Sequence, residues 1–286
     1  MGWRRGLRGV YALNEGRVPR QYGEVVATDD QERLHGGVNA VTRHASTVLR
    51  PVGPWSPTVH RLLVHLRARG FTLSPGYRGI TSEGLEILDF MPGTVGGYPV
   101  TSEAKSTQVL VGAAHALRAL HDASASFSRE AGDRWMLPAR GPVEVVCHGD
   151  FGPHNCVLEG TNVVGIIDFD TAHPGPRVWD VGYSVYRWAP MSAPSNPDVM
   201  GTVEDQARRV QIFCDEYGLD VEGRARLVDT VVARLRALVS FMRDRAAAGN
   251  EAYARHVDRG DDVLYETDIG YILENRGSFD GPATSS

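Results

Sequence analysis

The feature that most constrains this chain is the run His-Gly-Asp-Phe-Gly-Pro-His-Asn at 148–155, followed thirteen residues later by Asp168. Apolar residues at 143–147 and 163–167 precede the run and Asp168, and they predict two strands with a short strand and a turn between them. The Gly-Pro turn lets the final Asn of the run point back toward its Asp. The pattern therefore predicts that a carboxylate, a carboxamide and a second carboxylate meet at the rim of one site.

These residue types suit transfer of a phosphoryl group from Mg-ATP. That reaction needs a group that orients and deprotonates an acceptor hydroxyl, and hard oxygen ligands that hold magnesium against the phosphates. Asp150 suits the first role, and Asn155 and Asp168 offer two oxygen ligands for the metal. An Asp beside a Gly-Pro turn is more often a turn former that bonds to nearby amides. The presence of Asn155 and Asp168 in register favours the site over that structural role.

At these residues the chain resembles the aminoglycoside phosphotransferase family, which comprises antibiotic and metabolite kinases with a protein-kinase-like fold. The family's loop has His-Gly-Asp with an Asn five residues after the Asp, and its metal-binding Asp stands in a context like Ile167-Asp168-Phe169. The resemblance implies that Asp150 is the catalytic base and that Asn155 and Asp168 bind Mg²⁺. It also implies that Asp180 braces the loop by accepting backbone hydrogen bonds.

The resemblance covers nearly the whole chain and implies an α+β fold of two lobes. We expect a poorly ordered segment at 1–20, a nucleotide-binding N-lobe with a small antiparallel sheet at 21–90, and a larger, mainly helical C-lobe at 91–286 that carries the catalytic loop, the metal and the acceptor. Strand-like runs lie at 23–27, 34–37, 39–44, 46–50, 77–81 and 85–90. Pro57 opens a predicted helix, and Met91-Pro92-Gly93 is typical of a hinge between lobes.

The nucleotide site is where the chain departs from the family. Kinase-like folds place a Lys on the third strand against the phosphates and pair it with a Glu on the next helix. The one lysine here, Lys105, follows the hinge. Arg50 ends a strand-like run where the Lys belongs, and a guanidinium can bind phosphate oxygens through two parallel hydrogen bonds. The helix from 58 to 69 contains no acid, so Arg50 is either unpaired or held by an acid elsewhere.

Two further nucleotide contacts are expected. Gly36 and Gly37 offer backbone amides that could cover the phosphates, although a plain hairpin turn explains the pair equally well. The resemblance implies that the base of ATP or GTP bonds to the backbone of Asp89 and Met91.

Other interpretations of the same residues stay open. An imidazole just after a strand more often holds a loop than does chemistry, which favours a structural role for His148. Asp170 is a third metal ligand, a helix cap or an exposed acid. The missing Lys–Glu pair is compatible with a nucleotide-binding pseudoenzyme of the same fold. A metallohydrolase could instead use His148, Asp150, His154 and Asp168 around a transition metal.

Composition excludes several classes of partner. A net charge of −5 argues against nucleic acid, because a phosphate-binding surface normally shows clustered Lys and Arg. No apolar run approaches the roughly eighteen residues that a transmembrane helix needs. Three cysteines without metal-ligand spacing fit reduced thiols. We therefore expect a cytoplasmic enzyme whose partners are a nucleotide and a small-molecule hydroxyl acceptor, with no membrane partner.

The C-terminal part is acidic, with eight acids against three arginines at 251–286. Such a run is usually a solvated helix face. Alternatively, it forms a surface that attracts a cationic substrate. If Asp261, Asp262, Glu266 or Asp268 lines the acceptor pocket, we expect the acceptor to be a hydroxylated polyamine such as an aminoglycoside.

Overall fold

The computed structural model describes residues 31–34, 41–97 and 99–280, with side chains described from residue 41 onward. The segment at 1–20, the strand-like run at 23–27 and the two glycines Gly36 and Gly37 lie outside the described residues. The predicted contact of those glycines with phosphate therefore stays a prediction.

A five-stranded antiparallel sheet forms the first described part, in the order β1-β2-β3-β5-β4. Its strands are β1 (Gln31–Leu34), β2 (Val41–His44), β3 (Thr47–Pro51), β4 (Tyr77–Ile80) and β5 (Leu85–Asp89). The turn between β2 and β3 contains Ala45, whose φ is 52°, close to its predicted place. Arg50 of β3 lies directly opposite Glu86 of β5. The strand position that carries a Lys in kinase-like folds thus faces an acid on the neighbouring strand.

Helix α1 (Ser56–Ala68) lies between β3 and β4 in the chain and packs between this sheet and the helical part. Pro57 lies in its first turn, where the missing N–H breaks no helical hydrogen bond. The apolar residues Val59, Leu62, Leu63 and Leu66 are buried, as the helical spacing predicts. Gly70 follows with a φ of 78°, a conformation that favours glycine just past a helix end. The helix packs against β4 on one side and the following helix on the other.

The rest of the described chain is mainly helical. The helices are α2 (Thr107–Ser124), α3 (Arg177–Trp188), α4 (Val203–Tyr217), α5 (Val221–Ala225), α6 (Leu227–Ala247), α7 (Glu251–Asp258), α8 (Asp261–Glu274) and α9 (Arg276–Phe279). Packing of α2 on α4, and of α6 on α3, α7 and α8, forms the core of this part. None of the described helices is both long and apolar enough to cross a membrane.

Five short strands carry the loops of the candidate site. They are β6 (Thr94–Val95), β7 (Val145–Cys147), β8 (Cys156–Glu159), β9 (Asn162–Ile166) and β10 (His173–Gly175). β6, β8 and β9 form one antiparallel sheet, and β7 pairs with β10. The predicted hinge at 91–93 lies between β5 and β6. It therefore leads directly from the large sheet to the strands around the loop at 148–155.

Helix α1 offers a matched test of core packing. Leu62 is 1% exposed, whereas Val64 on the same helix is 55% exposed. Leu62→Ala removes buried methyl groups and leaves a cavity, so we expect the free energy of unfolding to fall by about 2–5 kcal/mol. Val64→Ala should change it by less than about 0.5 kcal/mol. Urea unfolding of both variants measures the difference, and equal effects would contradict the described packing of α1.

Candidate active site

The loop after β7 is held by the buried carboxylate of Asp180, which comes from α3. Oδ2 of Asp180 accepts the N–H of His148 at 2.6 Å, and Oδ1 accepts the N–H of Gly149 at 3.0 Å. Burial would raise the pKa of Asp180, but the hydrogen bond and charge of His121, together with the N–H of Gly149, lower it to about 2. The carboxylate is thus ionised in the interior and fixes two consecutive amides of the loop.

The His148 side chain ties the same loop to the segment that follows β9. Its Nδ1 accepts the N–H of Asp150 at 3.3 Å, and its Nε2 bonds to the carbonyl of Ile167 at 3.0 Å. Since Nδ1 accepts, Nε2 carries the proton and donates, which makes the ring neutral. Burial lowers the pKa of His148 and favours this neutral form. Both ring nitrogens are therefore committed to backbone groups.

Gly149 is required by the path of the loop. Its φ is 82°, which favours glycine. A Cβ at this position would also lie 2.3 Å from the carbonyl oxygen of Thr171. No larger residue fits here without a shift of the backbone, so the turn that presents the next residue, Asp150, depends on this glycine.

Asp150 lies in the cleft beyond this turn, with its side chain 31% exposed. Its Oδ2 accepts a hydrogen bond from Asn155 Nδ2 at 2.9 Å and lies 3.2 Å from His154 Nε2. Its depth in the protein would raise its pKa. The charge and hydrogen bond of His154, with smaller effects of Tyr183 and His148, outweigh this and hold the pKa of Asp150 below its ordinary value. The carboxylate is ionised at neutral pH and can accept a hydrogen bond from a hydroxyl in the cleft.

Asp168 follows β9 in an unusual backbone conformation. Its φ is 62°, in the left-handed region that residues with a Cβ rarely adopt. Strain of this kind is concentrated at functional sites. The side chain is half exposed and bonds to Nη1 of Arg50 at 3.1 Å. Asp168 thus faces the same cleft as Asp150 and Asn155.

Asn155 and Asp168 form a donor set that fits Mg²⁺. The Asn155 amide nitrogen donates to the carbonyl and to Oδ2 of Asp150, each at 2.9 Å. This leaves the amide oxygen, which accepts no hydrogen bond from the described part of the chain, as the available atom. One amide oxygen and one carboxylate suit a magnesium ion that takes its remaining ligands from phosphates and water.

Arg50 of β3 is buried among three carboxylates. Its Nε bonds to Glu86, its Nη1 to Asp168, and its Nη2 to Asp170 at 2.5 Å. Burial would lower the pKa of Arg50, but Asp170, Asp168 and Glu86 raise it above its ordinary value. Arg50 is therefore charged and held by acids. Asp170, for which a metal-ligand, cap or exposed role was open, is buried and bonds to this guanidinium, so it is not an exposed acid.

Glu86 was not among the predicted site residues. Its second oxygen bonds to Nε2 of His60 on α1, and the His60 ring stacks on Tyr77 with centroids 3.9 Å apart. The helix thus supplies an imidazole where kinase-like folds supply an acid, and the acid comes from β5. The pairing of β3 with β5 was the signal that could have located Glu86, because directly opposed residues share one face of a sheet.

One cleft of about 1160 Å³ joins these groups. It is lined by residues of the large sheet, the loop after β7, and helices α3, α6 and α7, and among the predicted residues these include Arg50, Asp89, Met91, Asp150, Asn155 and Asp168. The Asp89 carboxylate is bonded to Arg78 at 2.6 Å and to the N–H of Gly76 at 3.1 Å. The N–H of Asp89 also donates to the carbonyl of Gly76 at 2.9 Å, which leaves the Asp89 carbonyl as the atom able to serve a ligand.

The acids near the C-terminus do not line the cleft as a group. Only Asp261 reaches it, and Asp261 is bonded to His256 at 2.6 Å and to Arg259. Asp262 and Glu266 both pair with Arg243, at 2.7 and 2.8 Å. The expectation that these acids form a cationic-substrate surface does not hold for Asp262 and Glu266, because both lie outside the cleft and share one arginine there.

Asp268 also lies outside the cleft, in the interior. It is 0% exposed. Its carboxylate accepts hydrogen bonds from the Tyr186 hydroxyl at 2.7 Å, the Ala193 N–H at 2.8 Å and Asn196 Nδ2 at 2.7 Å. Asp268 therefore holds the segment after α3 in place and is not a substrate contact.

Comparison with known proteins agrees with this geometry. Residues 130–228, which contain the loop, Asp168 and Asp180, match the profile of the Phosphotransferase enzyme family. The chain is also 34% identical over 209 residues to the trifolitoxin immunity protein of Rhizobium leguminosarum bv. trifolii, covering 69% of this chain and 77% of that protein. The chain belongs to this phosphotransferase family. The membership expected from the sequence is thus confirmed.

Solved structures with the fold of this phosphotransferase come from kinases. A choline/ethanolamine kinase family protein from Mesorhizobium loti superposes with a TM-score of 0.58 at 18% identity, covering 89% of this chain and 94% of that chain. An amicoumacin kinase in complex with AMP-PNP and Ca²⁺ gives a TM-score of 0.60 at 11% identity, covering 82% and 89%. At these identities the likeness shows the fold, and the expected α+β, protein-kinase-like architecture is confirmed.

Asp268 and Glu266, on the same helix, provide a test of the structural role. Asp268→Ala leaves three buried donors without an acceptor, so we expect the free energy of unfolding to fall by about 3 kcal/mol. Glu266→Ala removes a half-exposed ion pair and should cost less than about 1 kcal/mol. Chemical denaturation of the two variants measures these changes. An Asp268→Ala variant as stable as the wild type would refute the structural role of Asp268.

Proposed function

We propose that this chain is a small-molecule kinase that transfers the γ-phosphoryl group of ATP or GTP to a hydroxyl group. The observation that carries the proposal is that Asp150, Asn155 and Asp168 face one cleft. Asp150 and Asn155 lie on a loop whose backbone is fixed, and Asp168 follows β9. Phosphoryl transfer depends mainly on positioning and on charge stabilisation. A loop held by a buried carboxylate and a neutral imidazole meets the first requirement.

Asp150 orients the acceptor hydroxyl and takes its proton. The low pKa of this carboxylate makes it a weak base toward an alcohol in the ground state. Proton transfer therefore accompanies phosphoryl transfer, when the hydroxyl becomes acidic. Asn155, whose amide nitrogen holds Asp150, would offer its oxygen to Mg²⁺ together with Asp168. The magnesium ion neutralises the phosphate oxygens when it is bound.

Arg50 and Glu86 take the place of the Lys–Glu pair in this proposal. Glu86 is 1% exposed and lies beside His60, so it is a fixed partner of Arg50. Asp168 is half exposed, and its bond to Nη1 can be exchanged for a phosphate oxygen when the metal binds Asp168. The nucleotide base would bond to the backbone of Asp89 and Met91, at the edge of the same cleft.

The acceptor is an antibiotic, a toxin or a related metabolite in this proposal. One relative is named for immunity to trifolitoxin, and one structure of the same fold is an amicoumacin kinase, which supports a role in resistance. The described cleft does not support a polyamine acceptor. Five arginines (50, 140, 187, 234 and 259) line it together with five aspartates (89, 150, 168, 244 and 261), so it is not the predominantly acidic surface that would attract a polyamine.

A nucleotide-binding pseudoenzyme is the second candidate, and one observation favours it. Arg50 is bonded to Asp168, the expected metal ligand. A metal ion must therefore break that bond before it can bind Asp168. A metallohydrolase is less well supported, because both nitrogens of His148 bond to backbone groups. In addition, the described residues hold no group of three or more His, Cys, Asp or Glu arranged for a metal.

Screening with ATP and GTP against hydroxylated antibiotics and metabolites, with release of nucleoside diphosphate as the readout, tests the proposal. In the productive pair, Asp150→Asn should lower kcat by about a hundredfold or more and leave Mg·AMP-PNP affinity nearly unchanged. Asp258→Asn, an exposed acid outside the cleft, is the control. Nucleotide binding without turnover of any acceptor would favour the pseudoenzyme. Full turnover by the Asp150→Asn variant would refute the role of Asp150 as the catalytic base.

Glu86→Gln tests the replacement of the Lys–Glu pair. The substitution keeps the shape but removes the charge that fixes Nε of Arg50, so the guanidinium should shift toward Asp168 and Asp170 and compete with the metal. We expect Mg·AMP-PNP to bind about tenfold more weakly, the scale of one charged hydrogen bond. Glu83→Gln, in the exposed turn before β5, should leave the affinity unchanged. Calorimetric titration measures both, and equal affinities would contradict the role of Glu86.

A further inference from the structure

A second arginine of the cleft, Arg234 on α6, has surroundings unlike those of Arg50. Its side chain is buried, with the residue 4% exposed. Its Nη2 donates to the carbonyl of Gly149, and it forms no ion pair with any acid in the described part of the chain. Four of its five N–H groups have no acceptor among the described residues, and the Nε among them is fully enclosed. A buried guanidinium without a counter-charge is costly, which points to a missing anionic partner.

Aromatic rings and a second arginine surround this group. The Arg234 guanidinium lies 4.7 Å from the centroid of Tyr183 and 5.8 Å from that of Trp179. The exposed Arg140 lies 4.6 Å from the Trp179 ring, and it too forms no ion pair with a described acid. All four side chains line the cleft. We call this set, Arg140, Trp179, Tyr183 and Arg234, the arginine pocket.

The arginine pocket lies beside the proposed base. Gly149, whose carbonyl Arg234 holds, directly precedes Asp150, and Tyr183 contributes to the low pKa of Asp150. Asn155 and Asp168, the proposed metal ligands, and Arg50, which bonds to Asp168, are not part of the arginine pocket. A molecule that presents a hydroxyl to Asp150 can thus extend over Trp179 and Tyr183 without entering the nucleotide side.

We infer that the arginine pocket binds an anionic group of the acceptor, such as a carboxylate, sulfate or phosphate, and that its two aromatic rings contact an apolar or aromatic body. This inference rests on the proposed kinase function and names the class of its acceptor. The preferred acceptor is a hydroxylated organic anion, not a polyamine. Arg234 supplies charge-assisted hydrogen bonds in a water-poor environment, where they are strongest.

Three small probes of similar shape test the charge preference on the full chain. 3-Phenyllactate carries a hydroxyl, a phenyl ring and a carboxylate; 3-phenyllactamide is its neutral counterpart, and phenylalaninol carries an ammonium group. Binding is measured by tryptophan fluorescence and ligand-observed NMR, with and without Mg·AMP-PNP. We expect phenyllactate to bind about tenfold or more tightly than the amide, the scale of one charged hydrogen bond, and phenylalaninol to bind most weakly.

Arg234→Met should abolish the preference for the anion, and Arg234→Lys should retain part of it. Arg236→Met, an exposed arginine on the same helix, is the matched control and should behave like the wild type. Unchanged Mg·AMP-PNP affinity in Arg234→Met would show that the loop is intact and that Arg234 does not bind the nucleotide phosphates. Equal loss of affinity for all three probes would assign Arg234 to loop support alone and overturn the inference.

No preference for phenyllactate in the wild type, or the same preference in wild type and Arg234→Met, would also overturn it. The proposed kinase function can be refuted independently of the anion preference. A chain that binds phenyllactate through Arg234 but does not bind Mg·AMP-PNP would support the anionic pocket and count against the proposed reaction.

Discussion

The backbone of Gly149 is the point on which the site depends, because both of its polar groups are held by charged side chains. Its N–H is bound by Asp180 of α3 and its carbonyl by Arg234 of α6. Those two helices pack directly on each other, so the position of the next residue, Asp150, follows from the packing of the helical core. Charge-assisted hydrogen bonds to the two successive peptide groups that flank the Gly149 Cα hold this turn more firmly than neutral hydrogen bonds would.

Arg50 has several acidic partners that differ in their exposure to water, in place of the single partner of a simple ion pair. Glu86 is enclosed and cannot exchange with water, whereas Asp168 is half exposed and can. One guanidinium faces the three carboxylates of Glu86, Asp168 and Asp170 in this cluster. If Asp168 binds the metal, as proposed, a divalent cation there would offset part of this negative charge and favour release of Arg50 Nη1 from Asp168.

The loop residues could be predicted because their spacing is local: a turn of five residues and a hairpin bring Asn155 and Asp168 to Asp150 wherever the loop lies. The partner of Arg50 could not be predicted in the same way. Glu86 is 36 residues away and meets Arg50 only through the register of β3 and β5. Which acid of α8 faces the cleft depended on how that helix packs. Its sequence places acids and apolar residues on every side, so Asp261 and Asp268 could not be told apart.

The acids near the C-terminus show why counting charges in a segment does not locate an acceptor surface. Several acids of the C-terminal segment are paired where they stand: Asp262 and Glu266 share Arg243, and Asp261 pairs with Arg259. Exposed charges paired in this way are screened and act weakly at a distance. Arg234 is a single charge, but it is enclosed and has no described acid to balance it, so its field in the cleft is much stronger. Burial and pairing, more than the number of charges in a segment, determine how strongly a charged side chain can act on a ligand in the cleft.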